Sequence, residues 1–306
     1  MEGIIMKETT YLVTGATSRT GSAAARHLLE NGAKVRVLGR SAERLAPLAA
    51  MGAEVRVVDP LDAPGLVQAF AGADTAYVML QPNYIPDHPD FRGFQDRLVE
   101  NLGQALERSG ITRAVALSSW GADLLQGNGP VAGLHRLEER LGRIPGLDAL
   151  FLRAGYFLEN LYALSLEGGA LVGPLRPGTP LPFVAARDVG TAAAIAMLAS
   201  DFSGKKVREV KGPRPGDMTE AASLLGQALG RAVLPYAMES AEAFRERLRR
   251  AGCAENVVGL MLEVVTGINS GRLRALQPHS PEDAARESLE TFVREQWVPR
   301  LAAGER

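Results

Sequence analysis

Between Tyr11 and Gly32 the chain reads Tyr11-Leu12-Val13-Thr14-Gly15-Ala16-Thr17-Ser18-Arg19-Thr20-Gly21, then an alanine-rich stretch that closes at Gly32. A short apolar run suited to one strand enters a turn of small residues, and a helical pattern follows. A strand passing into a helix through so tight a corner needs room at two places. Gly15 supplies the turn after the strand, and Gly21 lets the helix pack close to the sheet. The helix start then offers free N–H groups and a positive dipole end, which together suit a pyrophosphate. Ser18 stands where the middle glycine of the usual spacing falls, and its hydroxyl is able to donate to a phosphate. Two glycines also mark an ordinary strand–turn–helix corner, so the remaining segments decide the reading.

Those segments repeat the same unit. Apolar strand-like runs occur at Lys34–Leu38, Glu54–Asp59, Asp74–Leu80, Arg113–Ser119, Leu147–Arg153 and Val207–Val210. Helical patterns alternate with them: one follows Asp62 as N-cap, one runs from Phe91 through Phe94, Leu98, Leu102, Ala105 and Leu106, one spans Gly133–Leu141, and one opens at Arg187-Asp188. This spacing predicts right-handed βαβ crossovers and a Rossmann-type, doubly wound parallel sheet of the α/β class. Ligands on such sheets bind beyond the carboxyl ends of the strands. Gly15, Arg40, Asp59, Gln81 and Ser118 all fall at those ends.

The Pro-rich stretch Asn83 to Asp90 reads as a loop over the strand ends. Pro174, Pro177, Pro180 and Pro182 mark an irregular excursion. Beyond Gly212-Pro213 helices are expected at about 219–229, 240–251, 255–266 and 281–296, the last entered through Ser280-Pro281. The expected division is a Rossmann core over residues 7–160, to which 183–211 returns. Residues 161–182 and 212–306 form a smaller, mostly helical C-terminal lobe over the strand ends.

In an NAD-preferring site an Asp or Glu usually stands about 20 residues past the glycines, on the ribose hydroxyls. Here Arg40 stands at the second strand's end, and a guanidinium suits a 2′-phosphate. Arg19 is a second basic candidate. The cofactor read from these residues is NADP(H), with Asp59 placed to accept from the adenine amino group.

With 46% apolar residues, the 306-residue chain fills a core without disulfides, and its lone cysteine, Cys253, pairs with no other. Lys and Arg number 34 against 35 Asp and Glu, which argues against a nucleic-acid footprint. No apolar run reaches membrane-span length, and the N-terminus does not read as a signal peptide, so a cytoplasmic setting is expected. A homodimer is compatible with the sequence, which does not fix the oligomeric state.

The chain resembles the NmrA-like group of atypical short-chain dehydrogenases over nearly its whole length. The resemblance rests on Thr14-Gly15-Ala16-Thr17, Leu117-Ser118-Ser119-x-Gly121-Ala122, Leu152-Arg153-x-Gly155-x-Phe157-x-Glu159-Asn160, Arg187-Asp188-Val189, Gly212-Pro213 and Ser288–Val293. It implies NADP(H) bound by Gly15, Thr17, Ser18, Arg19, Thr20, Gly21, Arg40 and Asp59. Leu80, Gln81, Ser118 and Tyr156 would line the nicotinamide end. Members of the group include quinone, azo-dye and isoflavone-type reductases, and others that sense the NADPH/NADP ratio.

Ordinary carbonyl reduction in this superfamily uses a Tyr-x-x-x-Lys pair. No tyrosine here stands four residues before a lysine. NmrA-like enzymes often place a lysine four residues before a helical glutamate; if Glu138 is that glutamate, Leu134 holds the lysine position, next to His135. His135 and Ser118 are the catalytic candidates, His135 as a proton donor near neutral pH. Tyr84 is a candidate lid, while Phe157, Leu161, Tyr162 and Leu164 are a candidate stacking wall. A site without a dedicated acid suits a flat, electron-poor quinone or azo acceptor, the expected aromatic small-molecule substrate. The alternative is a non-catalytic NADP(H) sensor that binds a protein partner.

Overall fold

A computed structural model describes residues 9–81, 87–279 and 285–304. Its first part alternates β1 (Thr10–Val13), α1 (Arg19–Glu30), β2 (Lys34–Gly39), α2 (Ala42–Ala50), β3 (Glu54–Val57), α3 (Ala63–Phe70), β4 (Thr75–Val78), α4 (Phe91–Ser109), β5 (Arg113–Ser119), α5 (Ala132–Gly142) and β6 (Asp148–Ala154). The chain continues through β7 (Tyr156–Phe157), β8 (Ser165–Glu167), β9 (Ala170–Gly173), β10 (Phe183–Val184), α6 (Ala186–Ala199) and β11 (Lys205–Val210). It then forms α7 (Met218–Ala228), β12 (Tyr236–Met238), α8 (Ala241–Arg250), α9 (Glu255–Asn269), α10 (Leu289–Phe292) and α11 (Val298–Ala302), with a π-turn over Val293–Trp297 before α11.

The main sheet is all parallel, in the order β11-β6-β5-β4-β1-β2-β3. This is the doubly wound Rossmann order with one strand added beside β6. The chain reverses direction across the sheet between β1 and β4, where a crevice opens for a ligand. Alternation along each strand feeds two cores. Val13, Tyr77, Val115 and Leu152 pack toward α1 and α6, while Leu12, Ala76, Val78 and Ala116 pack toward α3, α4 and α5. A further apolar cluster holds the C-terminal helices to the end of the sheet through Leu158, Leu161, Phe183, Leu225, Phe292 and Trp297.

Two expectations change. The excursion over 161–182 contains β8 and β9, which form a small sheet with the distant β12. Strands this short carry too little alternation to be read from sequence. The last helix is not continuous over 281–296: residues 285–288 are not helical, and Ser280-Pro281 lies outside the described residues. Ser288 caps it, its Oγ accepting from the Thr291 N–H at 3.1 Å, and helix begins at Leu289. The preceding segment is tied down as irregular chain, because Ala285 N–H bonds the Lys211 carbonyl and Glu287 N–H bonds the Asp188 carboxylate.

Candidate cofactor corner and acceptor cleft

Gly15 turns the chain out of β1 with φ +59°, and Met79, just past β4, packs so close that a Cβ on Gly15 would sit 2.6 Å from its sulfur. A Cβ on Gly21 would collide with the Gly15 carbonyl oxygen, so α1 meets the loop backbone to backbone. Ser18 is the N-cap of α1, its Oγ accepting from Gly21 N–H at 3.0 Å. The N–H groups of Arg19 and Thr20 in the first turn have no helical acceptor, as at any helix start. The hydroxyls of Ser18 and Thr20 reach the Met79 sulfur at 3.3 and 3.8 Å. A thioether is a weak acceptor, and phosphate oxygens are far better ones. The corner therefore fits a pyrophosphate: close backbone, unpaired amides and hydroxyls with a poor partner.

A small pocket beside this corner is lined by Gly15, Thr17, Ser18, Arg40, Ser41, Arg44, Met79 and Gln81. Arg40 stands at the exposed tip of β2, as expected from sequence. Arg44, one helical turn further on in α2, donates to the Thr17 carbonyl at 3.3 Å and faces the same pocket. An arginine four residues after Arg40 at a helix start is the signal in the sequence that points to it. Asp59 does not join them. The chain leaves β3 after Val57, and the Asp59 carboxylate accepts from the Leu61 N–H at 2.8 Å in a local turn.

Met79, Ser18 and Gln81 also line a larger cleft of about 380 Å³ beyond the ends of β4 and β5. Arg19, Thr20, Glu159 and Asn160 form its polar side, and Phe91, Gln95, Leu117, Pro130, Val131, Leu134 and Phe157 its apolar side. Leu80 and Ser118 line it as expected. Arg19 belongs to this cleft rather than to the Arg40 pocket, with its guanidinium 5.8 Å from the Tyr162 ring centre. Both Glu159 oxygens accept from the Ala186 N–H, at 3.1 and 3.2 Å, and so cap α6 from another segment. Burial raises the Glu159 carboxyl above the ordinary carboxylate range, against the lowering pull of those bonds and of Arg19.

Ser118, 2% exposed, donates to Glu138 Oε1 at 2.5 Å. Glu138 also takes a bidentate pair from Arg153, at 2.9 and 2.7 Å, with both side chains 12% exposed. The hydrogen bonds from Arg153 to Glu138 hold that guanidinium's proton more tightly than usual. The Ser118 proton is thus committed away from the cleft.

Two expected site residues lie elsewhere. His135 Nδ1 donates to the Ala122 carbonyl at 2.7 Å, and its Nε2 is 3.9 Å from Glu139. Successive helical residues point about 100° apart, so with Leu134 on the cleft wall His135 turns away. The proton-donor role expected of it has no geometry to support it. Tyr156 is likewise displaced by alternation: Phe157 faces the cleft, and Tyr156 packs edge-on between Trp120 and Phe183. Burial pushes its phenol pKa up. Of the expected stacking wall, only Phe157 lines the cleft; Leu161 is fully buried, and Tyr162 and Leu164 line a separate pocket near Trp297. Tyr84 lies outside the described residues. Burial raises the Cys253 thiol pKa, and the residue lines neither the small pocket nor the cleft.

The residues missed by sequence were Arg44, Met79, Phe91 and Gln95. Gln95 had a signal. It is the one polar side chain in the buried stripe Phe91, Gln95, Leu98, Val99, Leu102 of α4.

The sheet order, the glycine corner and the adjoining cleft define a dinucleotide-binding Rossmann protein. Residues 15–160 match the family described as NAD(P)H-binding. That match spans a little under half of the chain, and the solved structures it resembles share its fold. It is similar to the uncharacterised oxidoreductase YesF of Bacillus subtilis, 24% identical over 271 residues, 87% of each chain. The fold matches the NADPH-dependent quinone oxidoreductase QOR2 of Escherichia coli, solved with NADPH, at TM-score 0.78 and 21% identity over 94% of this chain and 100% of that one. It also matches NmrA, a negative transcriptional regulator solved with NAD, at TM-score 0.73 and 17% identity over 98% of each chain. NAD(P)H is accordingly the cofactor class. Among the described residues no helix is long and apolar enough to cross a membrane, and no cluster of His, Cys, Asp and Glu is arranged to hold a metal ion.

Proposed function

We propose that this protein is an NADPH-dependent oxidoreductase that reduces a flat conjugated acceptor of the quinone or azo type. One observation carries the reading: the cofactor corner opens directly into a mostly apolar cleft whose wall has Leu134 at the position expected for a lysine. Gly15, Thr17, Ser18, Thr20 and Gly21 would hold the pyrophosphate, Arg40, Ser41 and Arg44 the 2′-phosphate, and Leu80, Gln81 and Ser118 the nicotinamide end. Bound NADPH supplies a hydride. The protein's own part is to press the acceptor flat against the apolar wall and to exclude water from the reacting face. Ser118 and His135 are poor acids here, the first bonded to Glu138 and the second outside the cleft. Acceptors that take hydride readily and draw their proton from solvent suit such a site. The test is oxidation of NADPH by the purified protein with a panel of quinones and azo dyes. Loss of NADPH absorbance above background is expected, and none with any acceptor overturns the reading.

That neither Ser118 nor His135 is placed as an acid also suits a second reading, a non-catalytic NADP(H) sensor that binds a protein partner. It requires tight NADP(H) binding with no turnover, so the acceptor panel separates the two.

A further inference from the structure

Arg19 opens α1, and its backbone belongs to the cofactor corner, but the residue lines the cleft and not the pocket around Arg40. It is exposed, and it makes no ion pair among the described residues. Its guanidinium lies 5.8 Å from the centre of the Tyr162 ring, a contact that holds a cation without neutralising it. Tyr162 is itself fixed by stacking on the buried Phe292, ring centres 5.3 Å apart. A second guanidinium, that of Arg300, lies 4.8 Å from the same ring.

Two acids act on this region, and both are engaged elsewhere. Glu159 accepts from the Ala186 N–H, and Glu287 pairs with Arg187 at 2.9 Å. Burial raises both carboxyls above the ordinary carboxylate range, which works against their holding a full negative charge. Apart from Arg19 and Glu159, the lining of the cleft is uncharged. A largely uncompensated cation therefore stands on the polar side of the cleft, while Phe91, Leu117, Leu134 and Phe157 make up the apolar side.

We infer that the acceptor carries an anionic group, a sulfonate or carboxylate, on its aromatic frame, and that the Arg19 guanidinium receives this group and sets the preference for it. The inference rests on the reductase reading of the cleft and narrows its substrate class. A guanidinium donates two parallel charge-assisted bonds to such oxyanions, and the flat rings remain free for the apolar side. A neutral acceptor uses the apolar side alone, and a cationic dye meets a like charge.

The test compares 4-dimethylaminoazobenzene-4′-sulfonate with the neutral 4′-sulfonamide, of nearly the same size and differing in charge. Equilibrium binding of each dye to the protein saturated with NADP⁺, followed by dye absorbance, is measured at low and at high salt together with NADPH oxidation. The sulfonate is expected to bind about fivefold more tightly at low salt, and the preference should shrink as salt screens the exposed charge. Arg19→Gln should abolish both the preference and its salt dependence, and Arg19→Lys should keep most of the preference. Equal affinities in the parent protein, or no binding of either dye, overturn the inference whether or not a dye is reduced. A preference that survives in Arg19→Gln also overturns it, because the anion is then met elsewhere. A fall of about tenfold in NADPH affinity in Arg19→Gln overturns it as well, since the guanidinium then serves the cofactor's phosphates. A fivefold preference that Arg19→Gln removes, without any NADPH oxidation, supports the anion requirement and sinks the reductase reading alone.

Discussion

The small pocket around Arg40 and the cleft around Gln95 share Ser18, Met79 and Gln81, yet they are assembled differently. The pocket takes its residues from the Gly15–Ser18 turn, the β2–α2 corner and the chain just past β4. Each contributes through backbone shape or charge, properties that a local segment carries by itself. The cleft adds α4, the end of β5, the turn at Pro130, α5, the Phe157–Asn160 segment and the start of α6. There a residue matters through which way it faces, and Leu134 against His135, or Phe157 against Tyr156, shows one position deciding the matter. On the proposed reading, recognition of a common cofactor is local and charged, whereas recognition of an acceptor is non-local and largely steric.

The comparison breaks most sharply at Gly21. Gly21→Val drives a side chain into the Gly15 carbonyl, and NADPH affinity should fall by at least about 100-fold in a fluorescence titration. Retained affinity would show that the corner does not hold the pyrophosphate.

On the cleft side, Arg153→Met leaves the Glu138 carboxylate buried with Ser118 alone. Urea unfolding should register a loss of about 3 kcal/mol. A change below about 1 kcal/mol would mean that the pair does not hold Ser118 in place.

Arg40→Ala and Arg44→Ala should each weaken NADPH binding about tenfold and leave NADH untouched. If Arg40→Ala alone removes the whole difference between the cofactors, Arg44 serves only the Thr17 carbonyl.

The smallest expected effect concerns Glu159. Its raised pKa means that the folded state holds the proton more tightly than the unfolded chain. Its contribution to stability is full below the ordinary carboxylate pKa and is lost as pH rises through the raised value. Glu159→Gln should therefore gain on the parent protein, by about 2 °C in Tm, as pH rises from the ordinary carboxylate range through the raised value. A difference that does not change with pH would remove the buried charge from the account.

Much of this was legible in the chain itself. The glycines of the first corner, the strand–helix alternation and Arg40 carry their meaning in residue type and spacing, because a tight turn, a helix start and a guanidinium act within a few residues of themselves. Arg44 was legible by the same rule. His135 and Tyr156 were misread because being near a motif does not say which side of an element a residue occupies. The short strands β8, β9 and β12 were not visible for a related reason, since their partners lie far apart in sequence.

Residue order alone thus determined a parallel nucleotide-binding sheet with a basic tip on its second strand. Tertiary packing decided that Ser118 gives its proton to Glu138 and that the Gln95 amide donates to the Pro130 carbonyl. Those outcomes depend on which distant groups come within hydrogen-bonding distance, and only the folded chain sets those distances.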